Sequence, residues 1–138
     1  MILDTSAILA VLENEEERDI CIGYMVDAPV LRISSASFVE AGIVLESRYG
    51  KAGHHQLLLF LARGGIEVEV VDRDQADIAL RAYSRFGKGK HRAALNYGNC
   101  FSYALAVIRE EPLLFKGDDF SHTDLHSVNL SASEPGPS

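Results

Sequence analysis

A chain of 138 residues, 47% of them hydrophobic, has the size and apolar content of one compact domain with a sizeable core. Thirteen Lys and Arg against twenty Asp and Glu give a formal charge of −7, which argues against a generic nucleic-acid-coating protein. It does not exclude a nucleic-acid enzyme, because acids that gather metal ions also make a chain acidic.

No apolar run is long enough to span a bilayer, and the start Met1-Ile2-Leu3-Asp4 lacks the basic region of a signal peptide. Cys21 and Cys100 sit in apolar surroundings without metal-ligand spacing, so buried free thiols are expected. A cytoplasmic protein with no membrane partner follows from these features.

In chain order, Met1 to Leu3 reads as a short apolar strand. Asp4-Thr5-Ser6 opens a helix with Ile8, Leu9, Val11 and Leu12 at helical spacing. The acidic run Glu13 to Glu17 reads as a solvated face or turn. Ile20 to Val26 predicts a second helix and Pro29 to Ile33 a strand. Ser34 to Ser37 caps a helix carrying Phe38, Val39, Ala41, Ile43, Val44 and Leu45. Ala52 to Ala62 predicts another helix, ended by Gly64-Gly65. Ile66 to Val71 alternates as a half-exposed strand should, and Asp72 with Gln75 reads as a capping box for a helix through Phe86. Gly87 to Asn96 is a basic loop, Asn99 to Arg109 an apolar helix, and Leu113-Leu114-Phe115 a buried strand. Gly117 to Phe120 is a turn, and Ser127 to Leu130 predicts a last strand. A domain over residues 1–130 is expected, with a disordered tail at 131–138.

Strands alternating with helices predict an α/β sandwich with a mostly parallel sheet. Ligands in such folds sit beyond the carboxyl ends of the strands. Asp4 and Asp118-Asp119 directly follow strands, and Glu40 opens the helix after another. Each has an ordinary explanation: an N-cap for Asp4, a capping box with Ser37 for Glu40, turn chemistry for Asp118 and Asp119, an N-cap for Asn99. Together, Asp4, Glu40, Asn99 and Asp119 fall at one predicted sheet edge, as a four-acid site with one acid replaced by an amide. Carboxylate oxygens suit Mg²⁺ or Mn²⁺, and two such ions can clamp a phosphodiester. Ser6 is placed to support a carboxylate. His54-His55 lies on another helix and reads as solvated surface. Lys88, Lys90, His91 and Arg92 form the one dense basic stretch. A solvated loop explains it; a phosphate-gripping, RNA-binding loop is the functional alternative. Tyr97 and Phe101 can stack on a base or pack into the core.

The segments Ile2-Leu3-Asp4-Thr5-Ser6-Ala7, Ser37-Phe38-Val39-Glu40-Ala41, Leu95 to Ala104 and Leu114 to Phe120 with Thr123-Asp124 resemble the PIN-domain ribonucleases. They resemble in particular the VapC toxins of type II toxin–antitoxin pairs. The resemblance runs over nearly the whole chain and implies a three-layer α/β/α PIN-like sandwich. It implies a nuclease in which Asp4, Glu40 and Asp119 are Mg²⁺- or Mn²⁺-site acids, Asp118 is their neighbour and Ser6 the supporting hydroxyl. It further implies endonucleolytic cleavage of RNA (tRNA, rRNA or mRNA), a homodimer, and a VapB-type antitoxin that completes a heterotetramer or larger assembly. Asn99 stands where the family usually has Asp, so a weakened or inactive nuclease is expected.

Two readings compete. A phosphatase with an aspartate nucleophile after its first strand would want a second acid where Ser6 stands. A catalytically inactive PIN-like module, binding RNA or protein only, is kept open by Asn99.

Overall fold

The apolar pair Ile2–Leu3 is hydrogen-bonded on both sides, so the first strand becomes the middle of the sheet. The computed structural model describes residues 1–89, 91, 93–117 and 120–131. Its elements in chain order are β1 (Ile2–Leu3), α1 (Thr5–Leu12), α2 (Arg18–Asp27), β2 (Arg32–Ser34), α3 (Ser35–Tyr49), α4 (Lys51–Gly64), β3 (Glu67–Glu69), α5 (Arg73–Phe86), α6 (Tyr97–Arg109), β4 (Leu113–Phe115) and β5 (Ser127–Asn129). The sheet order is β3-β2-β1-β4-β5, and every pairing is parallel.

Side chains alternate across the strands and separate two cores. Ile2, Leu113 and Phe115 pack with Ala79, Ala82 and Phe86 of α5 and Tyr103 and Leu105 of α6. Leu3, Ile33 and Leu114 pack with Ile8, Cys21, Leu45 and Leu57 from α1 to α4. The result is the expected three-layer α/β/α sandwich. Among the described residues no helix is long and apolar enough to cross a membrane. Cys21 and Cys100 are buried free thiols, and burial pushes the Cys21 thiol up to about 11.

Several local expectations change. The cap of α3 is Ser34, whose hydroxyl accepts from the Ala36 N–H; Ser37 lies inside the helix. α6 begins at Tyr97, two residues early, because Asn96 supplies the cap. At α5, Asp72 caps the Gln75 N–H at 2.9 Å, but the Gln75 side chain donates to the Val70 carbonyl, so only half of that box forms. β3 is shorter than the predicted 66–71. It is an edge strand whose Glu67 and Glu69 pair with Arg32 at 2.6 and 2.9 Å, leaving Val68 and Val70 exposed. Of the predicted tail only Ser131 is described. Its hydroxyl accepts from the Gly117 N–H at 3.1 Å, which ties it to the fold.

Candidate active site

The strand order reverses around β1 and β4, and the crevice at their carboxyl ends is where a parallel sheet presents a ligand site. Asp4 stands there, 4% exposed, as the N-cap of α1. Its Oδ2 accepts from the Ser6 N–H at 3.1 Å and the Ser6 hydroxyl at 2.7 Å. Its Oδ1 accepts from the Ser102 hydroxyl at 2.7 Å. Ser6 therefore holds Asp4 as expected, and it also accepts from the Lys116 N–H at 3.0 Å. That bond fastens the turn after β4 to the carboxylate after β1.

Glu40 is the sixth residue of α3, too far from the Ser34 cap to complete a capping box. The capping explanation for this glutamate is removed. Its half-buried carboxylate instead lies against Gly98 at the start of α6: a Cβ on Gly98 would overlap both carboxylate oxygens. The acid thus meets the positive end of α6, where anions are favoured. Asn99 is also at this helix start, 8% exposed, but it is not the cap. It is the N3 residue of a reciprocal capping box. The Asn99 N–H donates to Asn96 Oδ1 at 2.9 Å, and the Asn96 N–H donates to Asn99 Oδ1 at 3.1 Å.

The structure therefore brings Asp4 and Ser6 into contact and sets Glu40 beside the turn that carries Asn99. Asp118 and Asp119 lie outside the described residues, as do Lys90 and Arg92. Gly117, immediately before the two acids, turns the chain with φ +112°, a conformation open to glycine. Lys88 is exposed in a loop closed by Lys88 N–H to Leu95 carbonyl and Leu95 N–H to Phe86 carbonyl bonds, and this loop runs directly into the Asn96 cap. Tyr97 is 79% exposed with its ring edge-on to Phe101, which packs against the core between the sheet and α5 and α6. His54 and His55 are exposed on α4, as expected.

Sequence reasoning missed Ser102 and Ser37. Both are buried, and their hydroxyls are 3.1 Å apart. The available signal was a serine in the apolar stretch Phe101 to Ile108, since a buried polar group needs a partner. It also missed the role of the acidic run. Glu15 and Glu17 grip the Lys116 ammonium at 2.9 and 3.1 Å, and Glu13 pairs with Arg48. The Lys116 contact holds the Glu17 carboxyl below its ordinary value. Asp124 accepts from the Tyr103 hydroxyl at 2.7 Å and pairs with Arg85, so it braces α5 and α6.

Among the described residues, neither Asp4 nor Glu40 forms an ion pair. No group of three His, Cys, Asp or Glu is gathered for a metal among those residues, which exclude Asp118 and Asp119. The donor chemistry present, hard carboxylate oxygens drawn from the water without a cationic partner, fits Mg²⁺ or Mn²⁺.

A family model described as the PIN domain matches residues 1–125. The chain is 50% identical over 129 residues to the ribonuclease VapC of Mycolicibacterium smegmatis, covering 94% of this chain and 100% of that protein. It is 47% identical over 131 residues to the ribonuclease VapC30 of Mycobacterium tuberculosis, covering 94% and 99%. The chain belongs to the VapC-type PIN-domain family. That membership overturns the phosphatase reading. The fold agrees: VapC20 of Mycobacterium tuberculosis, titled a sarcin-ricin loop cleaving toxin, superposes with a TM-score of 0.74 at 17% identity, over 90% of this chain and 95% of that one. VapBC2 of Rickettsia felis, bound to a DNA fragment from its promoter, gives 0.73 at 14% identity over 93% and 96%.

Proposed function

We propose that this chain is the toxin half of a type II toxin–antitoxin pair. In this reading it is a Mg²⁺- or Mn²⁺-dependent endoribonuclease that hydrolyses RNA phosphodiester bonds and is weakened at Asn99. The observation that carries the reading is the buried Asp4 carboxylate at the crevice of the sheet, fastened through Ser6 to the turn that leads to Asp118 and Asp119. The names of the similar ribonucleases support RNA as substrate. A toxin–antitoxin complex of Klebsiella pneumoniae and VapBC2 of Rickettsia felis, both structural neighbours, support an antitoxin partner.

Asp4, Glu40 and Asp119 would hold the ion, with Asp118 beside them. When bound, the ion supplies Lewis-acid charge neutralisation at a phosphodiester and eases ionisation of an attacking water. The protein's own residues orient the carboxylates: Ser6 fixes Oδ2 of Asp4, and Gly98 leaves room for Glu40. Lys88, Lys90 and Arg92 approach the backbone phosphates of RNA, contacts that position the strand without reading its sequence. Exposed Tyr97 offers a ring for a base to stack on.

Asn99 weakens this site by more than a lost charge. The Asn96 N–H donates to its side-chain oxygen, so that end of the amide is identified by its partner. That oxygen keeps one lone pair, but the other end is an NH₂ group, which donates hydrogen bonds and ligates no cation. Flipping the amide would set NH₂ against the Asn96 N–H. An aspartate could give one oxygen to the cap and keep the second for a metal. Asn99→Asp should therefore raise Mg²⁺- and Mn²⁺-dependent RNA cleavage by at least about 10-fold, since losing even an outer partner of a metal ligand typically costs about 10- to 100-fold. Equal cleavage by both forms would remove Asn99 as the disabling residue.

The same amide favours a second reading, a PIN-like module that binds RNA or protein without cutting. Mn²⁺ titration of the Asn99→Asp chain separates the two, since a pure binding module takes up no ion at Asp4, Glu40 and Asp119. In the toxin reading, the antitoxin presents Arg or Lys to these acids. A co-purified partner that leaves the acids uncovered contradicts that mode of inhibition. A homodimer, and a heterotetramer or larger with antitoxin, completes the proposal; a strictly monomeric toxin in sedimentation argues against it.

A further inference from the structure

Ser102 has no exposed surface, yet it lies in the middle of α6 among buried Tyr103, Ala104, Leu105 and Ala106. Its hydroxyl has two partners, Asp4 Oδ1 at 2.7 Å and Ser37 Oγ at 3.1 Å. A serine hydroxyl carries one proton. The carboxylate only accepts, so the Ser102 proton goes to Asp4 and the Ser37 proton goes to Ser102. The direction of the relay is thereby fixed, from α3 through α6 to the carboxylate after β1. Hydrogen bonds arranged in series polarise one another, so Ser37 strengthens the contact that Ser102 makes.

A second relay reaches the other oxygen. The Lys116 N–H donates to Ser6 Oγ at 3.0 Å, and Ser6 Oγ donates to Asp4 Oδ2 at 2.7 Å. Oδ2 also accepts the Ser6 N–H, so its two lone pairs are occupied. Among the described residues Oδ1 takes only the Ser102 hydroxyl, which leaves it one lone pair. The last torsion of an aspartate is broad and two-fold, and a clamp on one oxygen leaves it loose. Clamps on both fix the plane of the carboxylate.

We propose that Ser102, backed by Ser37, is a positioning residue that fixes the Asp4 carboxylate plane and leaves the free lone pair of Oδ1 available to the cation. This inference rests on the Mg²⁺ or Mn²⁺ reading of the site. It concerns a hydroxyl one helical turn beyond Asn99, outside the predicted acid set.

The test is Mn²⁺ titration of the full chain, followed by electron paramagnetic resonance, in both the unsubstituted and the Asn99→Asp forms. Ser102→Ala should weaken Mn²⁺ binding by about 10- to 100-fold, the range for lost partners of metal ligands. Ser102→Cys keeps a similar volume with only a weak donor, so it should also bind weakly. Ser37→Ala leaves the Asp4 contact in place and should give a smaller loss in the same direction. Binding by Ser102→Ala equal to its parent overturns the proposal. So does full binding by Ser102→Cys, which would trace the alanine effect to a cavity. If Ser102→Ala fails to fold, the cysteine and Ser37→Ala variants decide by the same criteria. Absence of Mn²⁺ binding in every form, including Asn99→Asp, overturns the metal reading itself and this proposal with it.

Discussion

Gly98 carries no side chain because the Glu40 carboxylate fills the space in which one would begin. The obstacle is the far end of a flexible side chain, so an alanine there can push it aside without unfolding the helix. Ala is also favoured over Gly in a helix by about 1 kcal/mol. Gly98→Ala should therefore leave the urea unfolding midpoint unchanged or slightly raised, while Mn²⁺ affinity and RNA cleavage of the Asn99→Asp chain fall. Undiminished Mn²⁺ binding would show that the seat of Glu40 on α6 is unimportant. Sequence alone singled out Glu40 and Asn99 but misplaced both relative to the helix caps. Glu40 three residues after Ser37 imitates a capping box, and only the end of β2 decides that Ser34 is the cap. Asn99 likewise imitates an N-cap, but Asn96 takes that role and leaves Asn99 on the third helical residue.

The turn after β4 is held by elements remote from it in sequence. The Lys116 N–H bonds Ser6 of α1, the Lys116 ammonium bonds Glu15 and Glu17 between α1 and α2, and the Gly117 N–H bonds Ser131 after β5. Composition showed Glu15 and Glu17 as part of a solvated acidic run because their cationic partner stands about a hundred residues away, 101 for Glu15 and Lys116. Periodicity reports which face of an element is apolar and is silent on which distant charge meets a turn. Half-exposed pairs of this kind contribute about 0.2–1 kcal/mol each. Lys116→Met should accordingly lower stability only slightly, and less at high salt, where such pairs are screened. Its larger expected effect is faster amide hydrogen exchange at Gly117. Exchange there unchanged from the parent chain would mean that the backbone bonds alone hold the turn.

At the scale of the whole molecule, the alternation of apolar strands with amphipathic helices was enough to give the parallel sheet and the edge at which Asp4 stands. β1 is short and wholly buried, and two parallel neighbours place it at the centre, so the residue after it falls in the crevice. What pattern does not give is how the second helical layer is braced to the end of the chain. Tyr103 of α6 donates to Asp124 at 2.7 Å, and Arg85 of α5 pairs with the same carboxylate at 3.3 Å. Burial, and then the hydrogen bond to Asp124 and the charge of that carboxylate, push the Tyr103 phenol up to about 12 from an ordinary value of 10. A phenol raised in this way stabilises the fold fully below its unfolded value, about pH 10, and the contribution is lost as pH rises toward 12. Urea midpoints of the parent chain should fall across that window. Tyr103→Phe has no proton to lose at this position, so its midpoints should fall less steeply there. Below pH 9 the variant should be the less stable by about 1.5–3 kcal/mol, the typical contribution of a hydrogen bond to a charged acceptor. The difference between the two curves isolates Tyr103, and parallel curves from pH 8 to 12 would exclude it as the brace.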